Sequence, residues 1–258
     1  MERDCRRRGS AWPCAVVLLL IGTSALATPT TQIVIPATDI QKFGTVHIHL
    51  DGYVRVGDEP DGTRKPPILV LGPTVGILPW SFLQAEVGFD VILQGDGTYD
   101  REPFYFHGKL AVPEDAMFKW SPALAVGGYN IGTRWTGASR TDQNIVYGLI
   151  ARTVPYLGRL TFGYYGARKD IFVDENGHCA NHGFLASWDR TISELTDKLW
   201  VAIDFQSGHS ALGSLNVGVA YQITPAFGVL VGFDHYLYPA VGGRDTVTLQ
   251  LDIVPGAR

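Results

Sequence analysis

The sequence predicts an all-β fold: an antiparallel transmembrane β-barrel of about 12 strands, within a range of roughly 10–14. Three observations carry this. Segments of roughly ten residues repeat with apolar side chains at every second place, the connections between them alternate in length, and aromatic residues gather at segment ends. In Trp80–Gln94, Leu83, Ala85, Val87, Phe89 and Val91 share one face, while Gln84, Glu86, Gly88 and Asp90 share the other. Period two is the signature of a strand between two different environments.

The segments run, in order, over 43–54, 67–78, 80–93, 104–113, 121–132, 143–154, 158–168, 183–190, 198–207, 212–223, 226–238 and 245–254. Each matches the ~9–11 residues with which a tilted strand crosses a bilayer. Short connections fall at Leu78-Pro79, 155–158 and Thr224-Pro225, with somewhat longer ones at 113–120 and 191–197. Polar loops at 55–66, 94–103, 133–142, 168–182 and 239–244 alternate with them. Transmembrane barrels sort short turns to the periplasm and long loops outward; a soluble sandwich has no reason to. That topology places Phe43, Trp80, Trp120, Tyr156, Trp188, Trp200, Tyr221 and Phe227 in a girdle at the short-turn end. Tyr53, Phe89, Phe104, Phe205 and Tyr236 fall in a second girdle at the other end.

Upstream of the strands lies a leader pattern. Arg3, Arg6, Arg7 and Arg8 precede the apolar run Ala15–Ile21, and Ala25-Leu-Ala27 supplies a small-x-small cleavage site. Residues 1–27 are read as a signal peptide and 28–258 as one barrel domain. The leader holds four of the 21 basic and two of the 25 acidic residues, so the remainder carries 17 against 23, a net of −6. That balance argues against nucleic acid as a partner. With Cys5 and Cys14 in the leader, Cys179 is the one cysteine after it, which excludes a disulfide framework within the mature chain.

Several stretches carry a resemblance: Ile35-Pro-Ala-Thr-Asp-Ile40, His49-Leu-Asp-Gly-Tyr53, Pro113-Glu-Asp, Ala123–Gly132, Gln143–Gly148, Ser187-Trp-Asp-Arg190 and Asp197–Trp200. Together they resemble an uncharacterised family of bacterial outer-membrane β-barrel proteins. The resemblance spans most of the chain after the leader and implies the fold and an outer-membrane location, but no known activity. The C-terminal Val254-Pro-Gly-Ala-Arg258 departs from the terminal aromatic on which such barrels often end.

With the apolar face set towards lipid, the residues between line the lumen. The candidates are Asp51, Glu86, Asp90, Lys109, Arg152, Arg159, Asp204 and Asp234, with Asp252 and with His47, His49 and His107 alongside. Six acids against three bases make an acidic lumen, which favours cations because a low-dielectric wall focuses the field. The expected function is a small pore for hydrophilic solutes or ions. The alternatives are a structural or adhesive barrel without an open pore and, further off, a lipid-acting enzyme. For the enzyme, Ser187 and Ser214 are the strand serines and His235 the strand base, with no G-x-S-x-G motif at either serine. His178, Cys179 and His182 form a weak metal-ligand set that matches no established spacing. No cofactor is expected; the expected partners are membrane lipid and small ions or solutes. Oligomeric state is left open by these patterns.

Overall fold

A computed structural model describes residues 30–59, 62–63, 65–94, 104–136 and 140–256. The expected leader, Asp61 and most of the 94–103 loop lie outside the described residues. The strands are β1 (Val46–Arg55), β2 (Ile68–Gly76), β3 (Gln84–Gln94), β4 (Phe104–Val112), β5 (Ala123–Gly132) and β6 (Ile145–Val154). They continue as β7 (Gly158–Gly166), β8 (His182–Thr191), β9 (Leu199–Gln206), β10 (Ser214–Thr224), β11 (Phe227–Tyr236) and β12 (Thr246–Ile253). Each pairs antiparallel with its chain neighbour, and β1 pairs with β12 to close the barrel. A closed barrel leaves no unpaired edge, which is what a hydrocarbon surround demands of every backbone N–H and C=O.

The expected strand positions hold to within a few residues, with one larger difference. The β2–β3 connection takes in residues 77–83 rather than two, with Ile77 N–H donating to the Ala85 carbonyl in continuation of the Gly76–Glu86 register. The outward rows are apolar and exposed: Val46, Leu50 and Val54 on β1, Val217, Val219 and Tyr221 on β10, Val231 and Phe233 on β11. Such a continuous apolar belt is the surface a bilayer covers. Aromatic pairs brace it, including Phe89 with Phe104 at 5.7 Å and Tyr164 with Phe184 at 5.2 Å.

Three girdle assignments need correcting. Trp200 faces inward, is 3% exposed and donates its indole N–H to Asp189. Tyr53 and Tyr236 also face inward, and the Arg55 guanidinium stands 4.9 Å from the Tyr236 ring. A ring with a polar tip suits an internal hydrogen bond as well as a headgroup, so position at a strand end does not decide its face.

The lumen is not empty. Residues 30–43, which precede β1 and include Phe43 of the expected first strand, turn into the barrel. Thr31 bridges Pro36, Gln32 N–H donates to the Ile35 carbonyl and Ala37 N–H to the Thr30 carbonyl, which makes a tight hairpin with Ile33 and Val34 at its tip. The segment leaves over β2, where Gly44 N–H donates to the Gly76 carbonyl at 2.9 Å. A Cβ on Gly76 would come within 2.3 Å of the Gln41 and Lys42 carbonyl oxygens, so this crossing requires glycine.

Burial of the segment has two sides. Ile35 and Ile40 pack into a cluster with Ala111, Ala125, Ile145, Leu149, Tyr165 and Leu185 from β4–β8. Ile33 packs with Trp200, Ala202 and Leu230. Fully burying an Ile is worth about 1.5–3 kcal/mol. The inner wall of β5 and β6 is thus apolar because an apolar face of the peptide lies against it.

Candidate functional site

Polar groups of the wall converge on the inserted segment. The Asp204 carboxylate on β9 accepts from three successive backbone N–H groups at the hairpin tip: Ile33 at 2.7 Å, Val34 at 2.9 Å and Ile35 at 3.4 Å. Its other oxygen accepts from Asn216 Nδ2 at 2.5 Å. Gln250 on β12 donates to the Ile33 carbonyl at 2.8 Å. Charge-assisted bonds of this kind are the strong ones, and here they satisfy both an ion and a turn that would otherwise be buried without partners.

A second anchor is Asp189 on β8, fully buried, which accepts from Gln32 Nε2 at 2.9 Å, Trp200 Nε1 at 3.2 Å and Arg159 Nε at 3.2 Å. Arg159 extends the chain of contacts to Asp39 of the segment at 2.7 Å. A third is the Glu86–Lys109 pair on β3 and β4, at 3.1 Å. Lys109 donates to the Thr30 and Ala37 carbonyls, both at 3.0 Å, and Glu86 accepts from Gln41 N–H at 2.8 Å.

What the segment leaves unfilled is a cavity of about 280 Å³, bordered by β1–β4 on one side and by Tyr129, Tyr147, Gln206, Leu212 and Tyr236 on the other. In this measure one water needs ~10–15 Å³, so the space holds several waters or a small solute. Asp51, Asp90, Asp252, His47, His49 and His107 border it. His47 meets Asp252 at 2.8 Å; His49 and His107 meet the same Asp90 oxygen at 3.2 and 3.5 Å.

The expected lumen residues therefore divide. Asp51, Glu86, Asp90 and Lys109 border the cavity, with Glu86 and Lys109 also gripping the segment. Arg159 and Asp204 hold the segment. Asp234 lies in the wall, 1% exposed, and accepts from Thr246 Oγ1 at 2.6 Å. Arg152 is a correction: it stands on the outward row of β6 with Ile150, at the short-turn end. There it donates to Asp115 at 2.9 Å and to the Ser121 carbonyl at 3.0 Å, with its guanidinium 5.6 Å from the Trp120 ring. The Arg152 hydrogen bond holds the Asp115 carboxyl below the ordinary aspartate value.

The loop with His178, Cys179 and His182 is organised otherwise than for a metal. Asp174 accepts from the N–H groups of Asn176 and His178, both at 2.8 Å, while His182 begins β8 and lies by the Tyr164 ring. Among the described residues no three His, Cys, Asp or Glu side chains are grouped to hold a metal ion. The serines and His235 do not meet in a catalytic arrangement either. Ser187 and Ser214 lie on inward rows, and His235 is on the outward row of β11, paired with Asp245 at 3.1 Å.

At the long-loop end a network ties the β5–β6 and β7–β8 loops. Arg140 binds Asp142 at 2.9 Å and Asp170 at 2.6 Å, and Arg168 binds Asp142 at 2.8 Å. Hydrogen bonds from Arg140 hold both carboxyls below their ordinary range, and those carboxylates raise Arg140 further.

Sequence reasoning missed Gln32, Asp39, Gln41, Asp189 and Gln250 as the segment's contacts. Asp189 was within reach, since it shares parity with Ser187 on its strand.

No family model matches the chain, and no curated protein matches it. Solved barrels do. An outer-membrane channel from Pseudomonas putida F1 is similar at a TM-score of 0.51 and 8% identity, over 83% of this chain and 96% of that one. The NanC porin is similar at a TM-score of 0.46 and 10% identity, over 80% and 98%. Outer membrane phospholipase A from Escherichia coli is similar at 0.43 and 7%, over 83% and 92%. The likeness to the channel is one of fold.

Proposed function

We propose that the chain is a barrel of the bacterial outer membrane, reached after loss of residues 1–27, and that it belongs to the uncharacterised family its motifs resemble. In this reading it passes small hydrophilic solutes or ions, cations before anions, along the β1–β4 wall beside its inserted segment. One observation carries the reading: the segment fills only part of the lumen and leaves beside it a cavity of about 280 Å³ bordered by Asp51, Asp90 and Asp252. The three anchors favour a second reading, a structural barrel held shut by its own segment.

Planar-bilayer recording of the purified protein separates them. A channel gives steady ionic steps, a reversal potential under a salt gradient that marks cation preference, and a smaller preference in Asp51→Asn with Asp90→Asn. Silence throughout supports the shut barrel. Anion preference in the parent rejects the acid-lined path.

A further inference from the structure

The cavity has an unused charge. Of the basic groups on the inner wall, Lys109 is neutralised by Glu86 and held by two segment carbonyls, Arg159 is spent on Asp39 and Asp189, and Arg55 donates to the Gly242 and Arg244 carbonyls. The three histidines turn to Asp252 and Asp90, and an imidazole can donate to a carboxylate without carrying charge. Asp51 borders the cavity with no hydrogen bond or ion pair among the described residues. A second polar atom is also unmatched: His47 Nδ1, on a side chain 3% exposed, has no hydrogen-bond partner among the described residues.

An ionised carboxylate in such a site is costly; it either takes up a proton or is joined by a cation, and a cation that fits the lining keeps it ionised. The rest of the lining says which kind. Val34, Val70 and Ile92 present aliphatic surface, and Tyr53 presents an aromatic ring. A metal ion would want several ligating groups about one point, and among the described residues no three His, Cys, Asp or Glu are so grouped. A hydrated inorganic ion would gain nothing from the aliphatic side. N–H donors at one end and a short hydrocarbon body at the other would satisfy both.

We propose that this cavity is a binding site for a protonated primary alkylamine, its ammonium on Asp51 and its chain against Val34, Val70 and Ile92. The proposal rests on the channel reading, for it names the class of solute that the path selects.

The test is calorimetric titration of the full barrel in detergent with n-butylammonium chloride, and with butan-1-ol as the uncharged counterpart. Saturable binding of butylammonium, at least tenfold weaker binding of butanol, tenfold loss in Asp51→Asn and recovery in Asp51→Glu are expected. Asp234→Asn, which removes a wall carboxylate away from the cavity, should leave the affinity unchanged. Equal binding of butanol, no binding of either, or an unaltered affinity in Asp51→Asn overturns the site. Failure of the channel reads differently: butylammonium binds, but the protein gives no conductance steps. A protein that conducts yet binds no amine keeps the channel and loses the site.

Discussion

Replacing Asp204 with alanine removes the acceptor on which the tip of the inserted hairpin rests. The two shorter bonds, from Ile33 at 2.7 Å and Val34 at 2.9 Å, carry most of the interaction; the third, at 3.4 Å, adds little. A hydrogen bond to a charged group is worth about 1.5–3 kcal/mol, so the substitution weakens the docked segment by roughly 3–6 kcal/mol. At ~1.4 kcal/mol per factor of ten, even the lower figure means opening more than about a hundredfold more often. Amide hydrogen exchange in detergent micelles reads this directly. The informative amides are Gln32 and Ala37, whose own bonds to the Ile35 and Thr30 carbonyls survive the substitution. They should exchange about a hundredfold faster, while the ladders of β2 and β3, remote from Asp204, keep their rates. Asp204→Asn, which retains one acceptor oxygen, should fall between. Unchanged exchange at Gln32 and Ala37 would refute the claim that this carboxylate anchors the hairpin.

Arg159→Met strands Asp189, which is fully buried, and breaking a buried pair costs about 3–5 kcal/mol; thermal unfolding in detergent should show the loss. Asp39→Asn, at a side chain 35% exposed, should cost under about 1 kcal/mol by the same measurement. Asp142 and Asp170 have folded values below the ordinary 3.8, so their contribution is complete above that value and is lost as pH falls through the lowered folded values. Exchange rates of the 140–144 and 167–171 backbone, corrected for intrinsic pH dependence, should therefore rise on acidification below 3.8 and be flat above pH 5–6, a window about one to two units above the aspartate titration. In the proposed orientation the exposed Cys179 faces outside, so an impermeant thiol reagent should label it on intact cells, whereas a cysteine placed at Pro225 should stay unlabelled; the opposite pattern inverts the topology.

The barrel was legible because its wall separates two environments at period two, and eleven of its pairings join chain neighbours, with the β1–β12 seam completing the ring. Legibility failed where the inner environment stopped being water. On β6 the inward row is Ile145, Tyr147, Leu149 and Ala151 and the outward row includes Val146 and Ile150, so both faces are apolar and the side of Arg152 could not be read. The same cause hid the inserted segment: Ile33-Val-Ile35-Pro has no alternation, and its place in the lumen is decided by contacts more than a hundred residues away. One trace was present in the sequence. The register reads six acids inward against three bases, which leaves carboxylates unaccounted for, and for Asp204 and Glu86 the donors are backbone N–H groups of the segment.

The hairpin is, in effect, a ligand carried on a leash. Gln41 is fixed at Glu86 and Val46 is already in the wall, so the tether between them is a few residues long. A short tether holds its ligand at an effective concentration on the order of millimolar. Occupancy of the lumen is consequently indifferent to how dilute the protein is, and the same peptide supplied from solution would need to approach that concentration to compete. A single backbone cut between Lys42 and Thr45 abolishes the advantage: the hairpin becomes an ordinary bimolecular ligand, and dilution alone decides whether the barrel stays filled.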